Sequence, residues 1–345
     1  MQPDLELAAA LEEASGALAA RLTERHFARW PELAARFGAA GRQRCEEDAR
    51  FHLRYLAQTF ALGIPELFGR YLAWAVPMLA SRKVPKTDLR ADMEELRALL
   101  AEEFPHALAA IDAAMIPALA RVESEPEQVE LTPLSAAAQA YFKAAQDEGP
   151  VEARRVIDEL AASGLSAREI YVDVLSPAMR RAGELWQANQ YSVAEEHYFT
   201  AVTQRVTARL FSDLVQRRGR GPAVVVSCVA SEFHELGARM LCDLLELEGY
   251  STHYLGASMP PRAIADFACM REARVLALSA SITPHLGALR EAIALVRADP
   301  RCAGMKVLVG GAAFSGLPAL WRSVGADSWA PDAAAAIAEV HRLTS

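Results

Sequence analysis

The feature that most constrains this chain is the alternation in its last third. After Gly221, short β-branched runs take turns with helical patterns. Ala223–Val229, Tyr250–Leu255, Arg274–Ser279 and Met305–Val309 read as strands, with a short fifth near Ser328. Helices fall between them: Glu235–Glu248, one beginning near Pro260, His285–Arg297 and Leu317–Val324, with a last one from Pro331. Strands separated by helices pair in parallel, so helices must cover both faces of the sheet. Residues 222–345 are therefore expected to form a doubly wound parallel sheet. Such sheets take ligands at the carboxyl ends of their strands, where strand order reverses.

The preceding residues are helical in character. Hydrophobic residues make up 52% of the chain but aromatics only 7%, so much of the apolar content is alanine, a strong helix former. Residues 134–216 read as a four-helix bundle with short loops. Gly149-Pro150 and Ser163-Gly164 separate its first three helices, and Ala188–Tyr191 forms the last turn. Ser166 with Glu169 and Ser192 with Glu195 have the spacing of capping boxes. Residues 1–125 form a separate helical domain, punctuated by Pro65, Pro85 and Pro105 near helix starts or breaks. Within it, Asp48–Leu62 is apolar over a broad face. The acidic segment Glu123–Pro133 is a linker.

Several classes are excluded. A net charge of −8 leaves no broad basic footprint for nucleic acid, and the tight arginine cluster at Arg217–Arg220 reads as a solvated hinge. The five cysteines form no C-x-x-C pair, which argues against a disulfide framework and a structural zinc site. The start, Met1-Gln2-Pro3-Asp4, lacks a signal-peptide pattern, and no apolar run approaches the roughly 20 residues of a spanning helix. A soluble, cytoplasmic protein without membrane contact is expected.

The strand ends carry unusual residues. Glu232-Phe233-His234-Glu235-Leu236-Gly237 follows the first strand, Ser279-Ala280-Ser281-Ile282-Thr283 the third, and Gly310-Gly311 the fourth. A histidine at a helix start is, alone, an ordinary loop residue. The set of spacings says more: E-x-H-x-x-G, then 41 residues to Ser279, then 28 residues between Ser281 and Gly310. This resembles the cobalamin-binding domains, with D-x-H-x-x-G, S-x-L and G-G at matching offsets. The resemblance implies a flavodoxin-like (Rossmann-like) fold and a base-off cofactor. His234 would be the lower cobalt ligand, Glu232 would hold its other ring nitrogen, and the displaced nucleotide tail would pass Ser279 and Gly310-Gly311. Glu232 stands where many members have Asp, a variant of light-sensing members, and Ser281 stands where many have Leu.

In the bundle, Trp186 precedes Glu196-His197 by nine residues. This W-x9-E-H spacing is similar to that of adenosylcobalamin-dependent photoreceptors. The resemblance implies that Trp186 packs against the adenosyl group, that Glu196 accepts from its ribose hydroxyls, and that His197 takes the upper cobalt position after light breaks the cobalt–carbon bond. The ligand switch would drive a conformational or oligomeric change.

The N-terminal helical domain has the size of a globin-like or phycobiliprotein-like bundle and no recognition helix. The overall order resembles photocobilins, which pair a bilin-binding domain with a cobalamin module. Biliverdin contacts would come from Phe51, His52, Tyr55, Tyr71 and Trp74, with Arg54 or Arg70 on a propionate. Packing in the helical core is the plainer role for each, and Cys45 is not expected to form a thioether. The expectation is thus a non-enzymatic light sensor, acting through a homo-oligomer that assembles in response to light or through a separate effector protein. The alternatives are a corrinoid methyl carrier of a methyltransferase system and a cobalamin-responsive antirepressor acting by protein contact.

Overall fold

The computed structural model describes residues 1–214, 219–317 and 319–345. They form two compact units, Met1–Val129 and Glu130–Ser345. Arg217 and Arg218 of the expected hinge lie outside the described residues.

The first unit is helical: α1 (Leu5–Arg29), α2 (Glu32–Leu62), α3 (Glu66–Ser81), α4 (Lys86–Glu103) and α5 (Leu108–Ser124). Asp4 caps α1 by accepting from the Leu7 N–H at 2.9 Å. Pro65 and Pro85 sit at the N-caps of α3 and α4, and Pro105 opens a short 3-10 turn, as the sequence reading expected. α1 packs along α2, and α5 packs against α3 and α4. α2 contains the apolar stretch Asp48–Leu62 and is interrupted at Gly38, whose φ of +64° suits glycine.

The second unit opens with the bundle: α6 (Ala136–Asp147), α7 (Pro150–Ala162), α8 (Ala167–Glu169), a π-helical stretch (Ile170–Leu175), α9 (Ser176–Gln187) and α10 (Val193–Leu214). The third helix of the expected bundle is thus one rod with a π segment in its middle. Both capping boxes form. Ser166 and Glu169 satisfy each other's backbone N–H groups, and Ser192 and Glu195 do the same at 2.7 and 3.2 Å.

The rest of this unit is the expected parallel sheet. Its strands are β1 (Ala223–Cys228), β2 (Ser251–Tyr254), β3 (Val275–Ser279), β4 (Lys306–Gly310) and β5 (Ser328–Trp329). Between and after them run α11 (Leu236–Leu247), α12 (Pro261–Met270), α13 (Leu286–Ala298), α14 (Leu320–Ser323) and α15 (Ala333–Thr344). The order β2-β1-β3-β4-β5 reverses direction beside β1, so the crevice at the strand ends lies there. Register pairs Cys228 with Ser279 and Ser279 with Gly310, which brings the three strand exits level. The bundle core and one sheet face share a continuous apolar cluster. Tyr171 donates to buried Asp243 at 2.9 Å, tying the π-helical stretch to α11.

One expectation is corrected. Cys269 on α12 and Cys302 form a disulfide, with Cα atoms 5.1 Å apart. α12 packs against the turn Pro300–Cys302, an adjacency that sequence spacing does not encode. Among the described residues, no helix is long and apolar enough to cross a membrane.

The core of the first unit holds a buried polar chain. The Tyr71 hydroxyl is 2.9 Å from His52 Nδ1. His52 Nε2 is 3.6 Å from one oxygen of Asp92, and His26 Nδ1 is 3.5 Å from the other. Burial, helped by the charges of Asp48 and Glu95, pushes the Asp92 carboxyl up to about 7. Burial lowers the pKa of both histidines, that of His52 to about 4. The native state therefore keeps the Asp92 proton over a range where the unfolded chain, titrating near ~4, has lost it. Its contribution to stability falls as pH rises from about 4 to about 7. Asp92→Asn is expected to stabilise α1–α5 by roughly 1–3 kcal/mol at pH 8 and by little at pH 4. Hydrogen exchange of these helices in the full chain measures this, and an equal effect at both pH values contradicts it.

Candidate functional site

The site begins with Glu232, a carboxylate with no solvent exposure at the exit of β1. Ser231, at φ +64°, turns the chain so that the carboxylate points inward. One Glu232 oxygen accepts from the His234 backbone N–H at 2.8 Å and lies 2.6 Å from His234 Nδ1. The other accepts from the Ser281 N–H and lies 3.0 Å from His285 Nδ1. Burial alone would raise this carboxyl's pKa. The hydrogen bonds from His234, His285 and the two N–H groups outweigh it and hold the group well below the usual carboxylate range. The bond to Glu232 in turn raises the pKa of His234 against the effect of burial.

An ionised carboxylate only accepts, so Nδ1 carries a proton, and in the neutral imidazole Nε2 is left with the lone pair. The His234 side chain is 70% exposed. It therefore presents a ligand atom whose tautomer is set by a partner that cannot move, the arrangement that metal-bound imidazoles use.

His234 lines a cavity of about 1180 Å³ at the strand ends, roofed by the bundle. That exceeds the upper range of ordinary small-molecule pockets, roughly 1,000 Å³, so the cavity suits a large ligand. Trp186, at the end of α9, lines it and also packs on the bundle core. Glu196 and His197, in the first turn of α10, line the same cavity. Glu196 accepts from Thr200 at 2.9 Å and from His197 Nδ1 at 2.7 Å. His197 thus repeats the geometry of His234: Nδ1 lies on a carboxylate, and the side chain is 74% exposed. The Ser192–Glu195 box starts α10 where this pair faces the cavity.

The other expected residues divide. Gly237, Ser279, Gly310 and Gly311 line the cavity. A Cβ on Gly237 would meet nothing within 4 Å, whereas one on Gly311, at φ +97°, would collide with the Ala280 carbonyl. Gly311 therefore also lets the β4 exit close on the β3 exit. Ser281 acts through its backbone N–H on Glu232. Thr283 is buried and opens the 3-10 turn Thr283–His285 that delivers His285. The reading from sequence placed His285 only at a helix start and passed over Thr200. It also missed Gln204, which donates to Glu235 at 3.3 Å.

In the first unit, Tyr55 and Tyr71 stack with ring centroids 3.7 Å apart, and Trp74 stacks on Tyr71 at 6.5 Å. Tyr55, Tyr71 and His52 are buried in the helical core, while Phe51, Trp74 and Arg54 are exposed. Phe51 and Tyr55, four residues apart on α2, share a helix face but differ in exposure. Burial raises the pKa of the Cys45 thiol to about 12, which makes it a poor nucleophile.

Comparison with known proteins follows this geometry. Residues 222–338 match the family described as B12 binding domain. Residues 138–210 match a second family of the same description. Dimethylamine corrinoid protein 3 of Methanosarcina acetivorans is 27% identical over 188 residues, 54% of this chain and 86% of that protein. The HTH-type transcriptional repressor CarH of Myxococcus xanthus is 31% identical over 160 residues, 46% of this chain and 52% of the repressor. Over 59% of this chain and 96% of the other, the fold is similar to that of the Methanosarcina barkeri monomethylamine corrinoid protein, with a TM-score of 0.52 at 19% identity.

Removing the negative charge from Glu232 tests the site. In Glu232→Gln, a single carbonyl oxygen replaces two acceptors for four donors. Cobalamin affinity is expected to fall about 10- to 100-fold. Equilibrium binding measures it, and an affinity within twofold of the parent would refute the assignment.

Proposed function

We propose that this chain is a cobalamin-binding sensor rather than an enzyme, with His234 holding cobalt from below and His197 available for the position above. One observation carries the reading. Two exposed histidines line one cavity, and each has Nδ1 tied to a neighbouring carboxylate, which in the neutral imidazole leaves Nε2 as the ligand atom. A carrier that passes a small group to a partner gains nothing from a second imidazole and an indole at its upper face. A sensor that must hold a bulky upper ligand, and replace it, uses both.

When bound, adenosylcobalamin supplies a light-labile cobalt–carbon bond. The residues do the rest. Trp186 offers a flat apolar surface to the adenosyl group. Glu196 would accept hydrogen bonds from hydroxyls, and His197 could offer Nε2 to the metal while Nδ1 stays on Glu196. Because Glu196 and His197 sit at the start of α10, a change at His197 bears on the bundle directly. The output would be a change of assembly or contact with a separate effector.

A bilin on the first unit is the finer part of this proposal. What supports it is the exposed Trp74, which stacks on the buried Tyr55–Tyr71 pair. Red absorbance after reconstitution with biliverdin tests that part separately.

A second reading is a corrinoid methyl carrier. It is favoured by the similarity to a dimethylamine corrinoid protein across 86% of that protein's length.

The deciding experiment compares absorbance spectra of the adenosylcobalamin and methylcobalamin complexes before and after green light. The sensor reading expects a change in the adenosyl complex that persists in air and is lost in His197→Ala. A spectrum that stays put, or reverts at once in air, overturns it. Selective uptake of methylcobalamin would favour the carrier.

A further inference from the structure

His234 stands between two glutamates. Glu232, before it, is held by the loops after β1 and β3. Glu235, after it, is the N-cap of α11 and takes different partners. One Glu235 oxygen accepts from the Tyr254 hydroxyl, at the end of β2, at 2.8 Å. The same hydroxyl lies 3.2 Å from the Glu235 carbonyl, so the sheet side meets both the side chain and the backbone. The other carboxylate oxygen accepts from the Gln204 amide at 3.3 Å. Gln204 belongs to α10, which packs against α11. His197, Thr200 and Gln204 all line the cavity, at the spacing that places them on one face of that helix. α10 runs unbroken between them, so a shift at His197 is carried along a rod to Gln204, roughly 10 Å away.

We propose that Glu235 is a positioning residue that couples the two histidines. A shift of α10 alters the Gln204–Glu235 hydrogen bond, and the alteration reaches His234 through the single peptide bond between them. The inference rests on the reading above, in which His197 is available for the upper position. The two contacts of Glu235 suit unequal tasks. The short bond from Tyr254 keeps the residue on the sheet. The bond from Gln204 is longer than the usual 2.9–3.0 Å and is the one that yields. Both Gln204 and Glu235 are half-buried, so breaking their contact leaves no charge stranded in the core, and the change is reversible at low cost. Glu232 fixes the other side of His234, so a displacement at Glu235 acts on the imidazole and does not carry the loop away.

Amide hydrogen exchange of the full chain tests this in darkness. The adenosylcobalamin complex is compared with the hydroxocobalamin complex, whose small upper ligand His197 can replace, and the visible spectrum verifies that each sample holds its cofactor. In the parent chain, exchange is expected to differ between the complexes at residues 193–200 and, by about two- to tenfold, at residues 233–237, the factor that one hydrogen bond supplies. Gln204→Leu and, independently, Glu235→Ala are expected to keep the first difference and lose the second. Glu235→Gln is expected to restore it, since a carboxamide accepts from Tyr254 and donates to the Gln204 carbonyl. Tyr171→Phe, which cuts a separate tie between the bundle and α11, is expected to leave both differences in place. A difference at residues 233–237 that survives in Gln204→Leu and Glu235→Ala, or that is lost equally in Tyr171→Phe, overturns this inference and leaves the sensor reading intact. A parent chain with no difference at residues 193–200 overturns the sensor reading and this inference with it.

Discussion

The site depends on one buried carboxylate. Glu232 has no solvent exposure and serves four donors from two different loops. An anion in that position is stable only while all of them stay in place. The requirement works in both directions. The carboxylate orients His234, and it pins the loops after β1 and β3 to each other. The turn Thr283–His285 is held by the same group, so the third strand exit and the ligand histidine form one rigid piece. Rigidity matters because the imidazole side chain stands mostly in the open cavity, with little packing of its own to hold it.

The upper half of the cavity is built on a different principle. Glu196 and His197 lie on one helix, and their hydrogen bonds are local, to each other and to Thr200. Among the described residues, the partner that His197 shows is its sequence neighbour Glu196. The lower imidazole is thus fixed by contacts far apart in sequence, and the upper one by neighbours that a single rotation can release. If both imidazoles hold cobalt as proposed, the contact above would be the easier one to release. The hydrogen bond from Tyr171 to Asp243 ties the bundle to α11.

Much of this was legible in the sequence because it is encoded locally or by chain order. The strand–helix alternation gave the sheet to within a residue or two, and both capping boxes formed as their spacing implied. His234, Trp186, Glu196 and His197 all line one cavity, as the motif offsets suggested. What was not legible depends on distance in the chain. His285 meets Glu232 across 53 positions, and no local pattern marks it. Cys269 and Cys302 meet because α12 packs against a turn 33 residues on. The π-helical stretch Ile170–Leu175 leaves the hydrophobic spacing almost unchanged. In the first unit the aromatic residues were visible, but not that Asp92 and His26 would join His52 in the core.

The central claim is that a histidine of this chain, and not the cofactor's own base, is the lower ligand of cobalt. The direct measurement is electron paramagnetic resonance of the chain loaded with cobalamin reduced to the paramagnetic cobalt(II) state. The protein is prepared once unlabelled and once with 15N-histidine. The account predicts that the nitrogen splitting changes from a triplet to a doublet on labelling, and that His234→Ala abolishes this change. A triplet that survives histidine labelling would place the benzimidazole nitrogen on the metal and contradict the account.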